Sequence, residues 1–108
     1  MAWSDPYAMP VFIDHVSIPV ADLGRSAGFY DAVLATLGML RRKHNDIGIG
    51  WGPPETAAPI FWIIAQKPGS AVAGLGLHIS FRARDRAEVQ AFHEAALGHG
   101  ATDAGGPG

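Results

Sequence analysis

Apolar and polar residues alternate in a short run near the start of the chain, and a helical pattern follows it. Within residues 12–19 the even positions are mainly apolar, whereas the odd positions carry His15 and Ser17. Side chains alternate faces along a strand, so we expect one packing face and one mixed face, such as lines a cavity. After Asp22, apolar residues recur at spacings of three and four as far as Gly38. This pattern predicts a helix with Asp22 as its N-cap and Gly38 as its C-terminal stop.

Three further strands are predicted before residue 66. Residues 39–44 predict a short strand that ends at an Asn-Asp turn. From Ile47 to Gly52, apolar residues alternate with glycine, which predicts a strand with one bare face, where a ligand or another backbone can approach closely. A flexible glycine loop is the alternative there. Residues 60–65 are all apolar and predict a buried strand.

The opening pattern returns near the C-terminus at a constant offset. It predicts a second strand at residues 76–83 and a second helix to about Leu97, with Asp85 as N-cap and Glu88 in the capping-box position. Only residues 101–108 follow that helix, so we expect the second unit to lack the three strands that complete the first. An unpaired strand edge favours association, which predicts a homodimer or a strand exchange. The matching pairs are His15 with His78, Ser17 with Ser80, Asp22 with Asp85, and Phe29 with Phe92.

Length and charge narrow the classes of partner. A chain of 108 residues forms one domain, which we divide into an irregular arm at 1–11, a first unit at 12–66, a linker at 67–74 and a partial second unit at 75–108. Lys and Arg number 8 against 10 for Asp and Glu, so neither nucleic acid nor a membrane surface is an expected partner. No apolar run approaches the roughly 20 residues of a membrane span. Cysteine is absent, which fits a cytoplasmic location.

The stretch from His15 to Met39 resembles the opening of the vicinal oxygen chelate superfamily, which contains glyoxalases, bleomycin-resistance proteins and extradiol dioxygenases. The resemblance covers about residues 11–108 and implies an α+β fold of paired βαβββ modules around a small-molecule site, with the first module complete and the second lacking its last three strands. It also implies that two chains often combine. The residues that carry it are His15, Asp22, Ser26, Phe29, Tyr30, Leu37 and Gly38, with residues 76–81 as the start of a second module.

The same resemblance implies a metal site. In metal-dependent members the first strand of each module supplies a ligand, and these positions correspond to His15 and His78. Imidazole suits Zn, Ni or Fe, so a divalent Zn, Ni, Fe or Mn ion is the implied cofactor. The family's carboxylate ligands have no counterpart here, because residues 60–65 contain no acid. Metal-free cavity lining and a purely structural role remain open for both histidines.

Other side chains are candidates for contacting a small-molecule ligand. Trp51, Phe61 and Trp62 offer aromatic walls, although core packing is the default role of such residues. Arg82 shares the strand parity of His78 and could meet an anionic group. No catalytic acid or base is assigned. The residues expected to bind substrate are Ser17, Trp51, Trp62, Ser80 and Arg82.

Two functions follow as expectations. The first is a glyoxalase-like protein that acts on a small oxygenated molecule by metal-dependent lyase or dioxygenase chemistry, in which the metal acts as a Lewis acid on adjacent oxygens. The second is a metal-free protein of the same fold that binds a drug-like or aromatic molecule without turnover. Loss of either histidine would abolish the first function, whereas loss of Trp62 would abolish the second.

Overall fold

The structure, a computed structural model, describes residues 13–67 and 79–101. The predicted N-terminal arm, nearly all of the linker, and His78 therefore lie outside the described residues. Within the described ranges no helix is long and apolar enough to cross a membrane. The elements are β1 (Val16–Val20), α1 (Leu23–Ala35), β2 (Leu40–His44), β3 (Gly48–Gly52), β4 (Phe61–Ala65) and α2 (Arg86–Gly98).

The four strands form one mixed sheet in the order β1-β4-β3-β2. Strands β1 and β4 are parallel, whereas β4, β3 and β2 are successively antiparallel. Helix α1 lies between β1 and the other strands in sequence and packs on one face of the sheet. The first unit is therefore a complete βαβββ module, and the α+β prediction is confirmed.

Helix α1 has the limits that its caps predict, within two residues. The Asp22 carboxylate accepts a hydrogen bond from the Arg25 backbone N–H at 3.1 Å. Gly38 follows the helix with φ at +80°, a conformation that favours glycine because it has no Cβ. The buried side chains of α1 pack against β3 and β4 to form the core. The fully buried members of the core are Val33, Leu34, Ile49, Trp51, Phe61 and Ile63.

Helix α2 is capped as predicted but packs more loosely. Asp85 accepts from the Glu88 backbone N–H at 2.8 Å. The Glu88 carboxylate accepts from the Arg84 N–H at 3.0 Å rather than from Asp85, so the expected capping box is displaced by one residue. No residue of α2 is fully buried. The second helix is thus held mainly by its contact with α1.

The prediction of a strand at residues 76–83 is wrong for residues 79–83, which the structure describes. Residues 79–83 form no hydrogen-bonded strand. None of the four described strands has a ladder pairing with this segment. Phe81 instead packs against the buried Phe61, with ring centroids 5.0 Å apart. Side-chain packing, and not backbone pairing, places the segment against the first module.

Candidate functional site

Neither of the two described helices covers one face of the sheet, and we call it the open face. Along β1, Val16 and Ile18 pack towards the core, whereas Ser17 is exposed on the opposite side. Along β4, Phe61 and Ile63 are buried in the core, and Trp62 and Ile64 alternate with them and are half-buried. Because paired residues in neighbouring strands share a face, Ser17, Trp62, Gly50 and Lys43 form one row across the open face.

The glycines of β3 are covered by side chains of the same chain. A Cβ added at Gly50 would lie 2.8 Å from the Trp62 ring and 2.7 Å from the Pro59 Cβ. One added at Gly48 would lie 2.8 Å from the Ile64 Cδ1. The indole of Trp62 therefore rests directly on the β3 backbone. The close approach predicted from the alternating glycines is made by Trp62 and Pro59.

His15 lies just before β1 and is paired with its neighbour. Its Nδ1 is 2.7 Å from the Asp14 Oδ2, and its side chain is 55% exposed. When Nδ1 donates to the carboxylate, Nε2 becomes the ring nitrogen that can accept a proton or bind a ligand. His15 is thus oriented as a polar group that could act on a bound molecule.

The described residues do not by themselves fit a metal ion. Across residues 13–67 and 79–101, no three His, Cys, Asp or Glu side chains come close enough to hold one. Strand β4 carries no carboxylate, and His15 is the single predicted metal ligand in this part of the chain. His78, the other predicted ligand, lies outside it. A metal site would need donors that the described residues do not supply.

The residues predicted to bind substrate lie in three different parts of the structure. Ser17 and Trp62 are direct neighbours on the open face. Ser80 and Arg82 are exposed on the segment that follows the undescribed residues, and they alternate with the half-buried Ile79 and Phe81. Trp51 is fully buried on the helix side of the sheet, away from the open face. The structure therefore brings together two of the five predicted side chains and places Trp51 apart from them.

Trp51 belongs to a polar cluster that local sequence patterns do not reveal. Its Nε1 donates to the Asp31 Oδ1 at 2.9 Å, and the Arg41 Nε donates to the same oxygen at 3.1 Å. Partial burial raises the pKa of Asp31, but the hydrogen bonds from Arg41 and Trp51 and the charge of Arg41 outweigh it, so the pKa lies below its ordinary value. Asp31, Arg41 and Trp51 follow one another at intervals of ten positions, and they belong to no recognisable sequence motif.

Comparison with known proteins decides the family. The family model of the Glyoxalase/Bleomycin resistance protein/Dioxygenase superfamily matches residues 12–108. The chain belongs to this superfamily. This confirms the resemblance that residues 15–39 carry in the sequence.

A solved structure of the superfamily has the same fold. It is the crystal structure of a glyoxalase/bleomycin resistance protein from Albidiferax ferrireducens T118, which is 32% identical in sequence and has a TM-score of 0.72. The match covers 83% of this chain and 71% of that chain. No curated protein matches the sequence. The fold is therefore that of the superfamily, and the activity has to be argued from the site.

Proposed function

We propose that this glyoxalase-superfamily protein binds a small, oxygenated, partly aromatic molecule on its open face. The observation that carries the proposal is the position of Trp62, whose indole is backed by the β3 glycines and is only half-buried beside Ser17. A rigidly backed aromatic ring offers a large apolar contact at little entropic cost. Ser17 supplies a hydroxyl on this face, and His15, immediately before β1, is an exposed imidazole close to it in the chain.

A second copy of the chain is proposed because one sheet face cannot enclose a ligand. Small-molecule sites cover most of their ligand, and an open sheet face supplies one wall only. Among the described strands, β1 stands at an edge with no partner on its outer side. We therefore propose that two copies associate as a homodimer, by contact or by strand exchange, and so close the site.

Binding can be tested by calorimetry with catechol, which combines an aromatic ring with two adjacent oxygens. We expect Trp62→Ala to weaken catechol binding at least about tenfold, equivalent to roughly 1.4 kcal/mol, because the apolar floor is lost. The matched control is Phe92→Ala, which removes a half-buried ring on the helix side. Equal affinity in Trp62→Ala and the parent protein would refute the proposal.

Metal-dependent lyase or dioxygenase chemistry is the second candidate. The hydrogen bond between His15 and Asp14 favours it, because carboxylate partners commonly orient metal-binding histidines. Elemental analysis of the purified protein tests the metal directly. Near-stoichiometric Zn, Ni, Fe or Mn that is lost in both His15→Ala and His78→Ala would support turnover. A metal-free protein that binds catechol equally well after both substitutions would support binding alone.

A further inference from the structure

A cavity lies on the helix side of the sheet, away from the open face. Its volume is about 230 Å³, and it is formed where the first turn of α1 meets the end of α2. Arg25, near the start of α1, and His99, the C-cap of α2, line it together. Both polar and apolar side chains line it. The side chains that line it include Val20, Arg25, Ser26, Phe29, Tyr30 and His99.

We propose that this cavity is a separate binding site for a small carboxylic acid with an apolar body. The two parts of such a ligand match the two kinds of side chain, charged or polar and apolar, that line the cavity. Arg25 and His99 face the carboxylate with the Ser26 hydroxyl, whereas Val20 and Phe29 face the apolar part. This site is independent of the open face and does not rest on the function proposed for it.

Charge is the first argument. The Arg25 guanidinium forms no ion pair or hydrogen bond with any described residue, and the same is true of the His99 side chain. A planar guanidinium can donate two parallel hydrogen bonds to a carboxylate, which makes arginine the preferred partner of such groups. Asp22, the N-cap of α1, accepts a hydrogen bond from the Arg25 backbone N–H and not from its guanidinium. The side chains of the cavity, rather than the helix amides, are therefore the donors.

Tyr30 also lines the cavity and carries a hydroxyl donor. Its ring is held in the core, with centroids 4.9 Å from Phe61 and 5.2 Å from Phe29. The hydroxyl forms no hydrogen bond with any residue in the described ranges. Burial raises the pKa of Tyr30, so the phenol keeps its proton and can donate to an oxyanion at neutral pH.

Size limits the ligand. Pockets for drug-sized molecules span roughly 300–1,000 Å³. A cavity of about 230 Å³ fits a smaller molecule, such as a carboxylate that carries one ring. Benzoate is therefore the appropriate probe, and inorganic phosphate, which lacks an apolar body, is its counterpart.

The test is a titration of the full chain with benzoate, followed by amide chemical shifts. We expect saturable shifts at residues 25–30 and 99–100 that persist in Trp62→Ala, which removes the open-face floor and so separates the two sites. Arg25→Gln should weaken benzoate binding about tenfold or more because the charged donor is lost. Arg86→Gln, the same change in the first turn of the other helix, should leave the affinity unchanged. Phosphate should bind several-fold more weakly than benzoate.

Three results would overturn the proposal. The first is benzoate affinity that Arg25→Gln does not change. The second is a set of shifts confined to Ser17, Gly50 and Trp62. The third is phosphate binding as tight as benzoate binding. If Arg25→Gln alters thermal stability alone, Arg25 serves only to complement the negative end of α2. Because the guanidinium is exposed and has no described partner, the variant is expected to fold.

Discussion

Gly50 has no side chain because the indole of Trp62 occupies the space above it. The alternating glycines between residues 47 and 52 predicted a bare strand face. Which group would approach that face depended on the register of β3 with β4, which pairs Gly50 with Trp62. Register is a property of the assembled sheet. The glycine pattern therefore predicted a close approach at this strand face, whereas the side chain that makes the approach, Trp62, could not be predicted.

Substitution of Gly50 tests this contact. In Gly50→Ala the new Cβ would collide with the Trp62 ring and with Pro59, and the backbone and ring must shift. We expect a loss of about 1–3 kcal/mol in the free energy of unfolding, measured with denaturant. Gly28→Ala in α1 is the control, because no atom lies within 4 Å of its added Cβ. That change should stabilise the protein by about 0.5–1 kcal/mol. Equal effects would show that Trp62 does not rest on β3.

Asp31 makes a pH-dependent contribution to stability. Its folded-state pKa lies below the ordinary value of 3.8, because the hydrogen bonds from Arg41 and Trp51 outweigh the opposing effect of burial. The stabilisation by the ionised carboxylate is therefore fully present above the ordinary pKa of 3.8. It is lost as the pH falls through the lower folded-state pKa.

Melting temperatures measured from neutral to acid pH test this contribution. Asp31→Asn should be less stable than the parent at neutral pH, and the difference should shrink in acid. The pKa of Glu88 is also lowered by hydrogen bonds from Arg84. Because Glu88 is present in both proteins, its contribution to the pH dependence of stability cancels in the comparison. Asp46→Asn, in an exposed turn, is the control. A pH-independent difference between Asp31→Asn and the parent would contradict the account.

Two of the three predicted aromatic walls, Trp51 and Trp62, show how much the alternation of faces along a strand can predict. Trp51 alternates with glycines, as do Ile47 and Ile49, so the residues opposite the bare face share one side. In the structure Trp51 and Ile49 are buried in the core, whereas Trp62 lies over the glycines. The hydrogen bond from Trp51 to Asp31 joins residues twenty positions apart and needed the folded chain.

At the scale of elements, the two helices are alike in length and caps but unequal in packing. Each has thirteen residues and an aspartate N-cap, and the sequence predicted both. Helix α1 buries Ala27, Val33 and Leu34 against the sheet, whereas α2 buries no residue fully. A helical pattern shows which side is apolar but not whether strands cover it. The unequal burial therefore could not be predicted from the periodicity.

A matched pair of leucine substitutions tests the inequality. Leu34→Ala in α1 removes a side chain with no exposed surface and should cost about 2–5 kcal/mol of unfolding free energy. Leu97→Ala in α2 removes one that is 39% exposed and should cost less than about 1 kcal/mol. Denaturant unfolding of both variants provides the measurement. A comparable loss from the two substitutions would mean that α2 is packed as firmly as α1.

At the scale of the whole molecule, the open face and the position of β1 at the edge of the described sheet favour association. We expect light scattering to give a mass near twice the 11.4 kDa of one chain, because two copies can enclose the site and cover the edge. Catechol should increase the dimer fraction at low protein concentration, since binding to the closed site favours the associated form. A monomer at all concentrations, with or without catechol, would contradict this arrangement.

The central claim is that the open face binds the ligand, and amide and indole chemical shifts during a catechol titration test it most directly. We predict saturable shifts of the Trp62 indole N–H and of the backbone amides of Ser17 and Gly50, with the buried Trp51 indole unaffected. Shifts confined to the helix side, or none that saturate, would contradict the account.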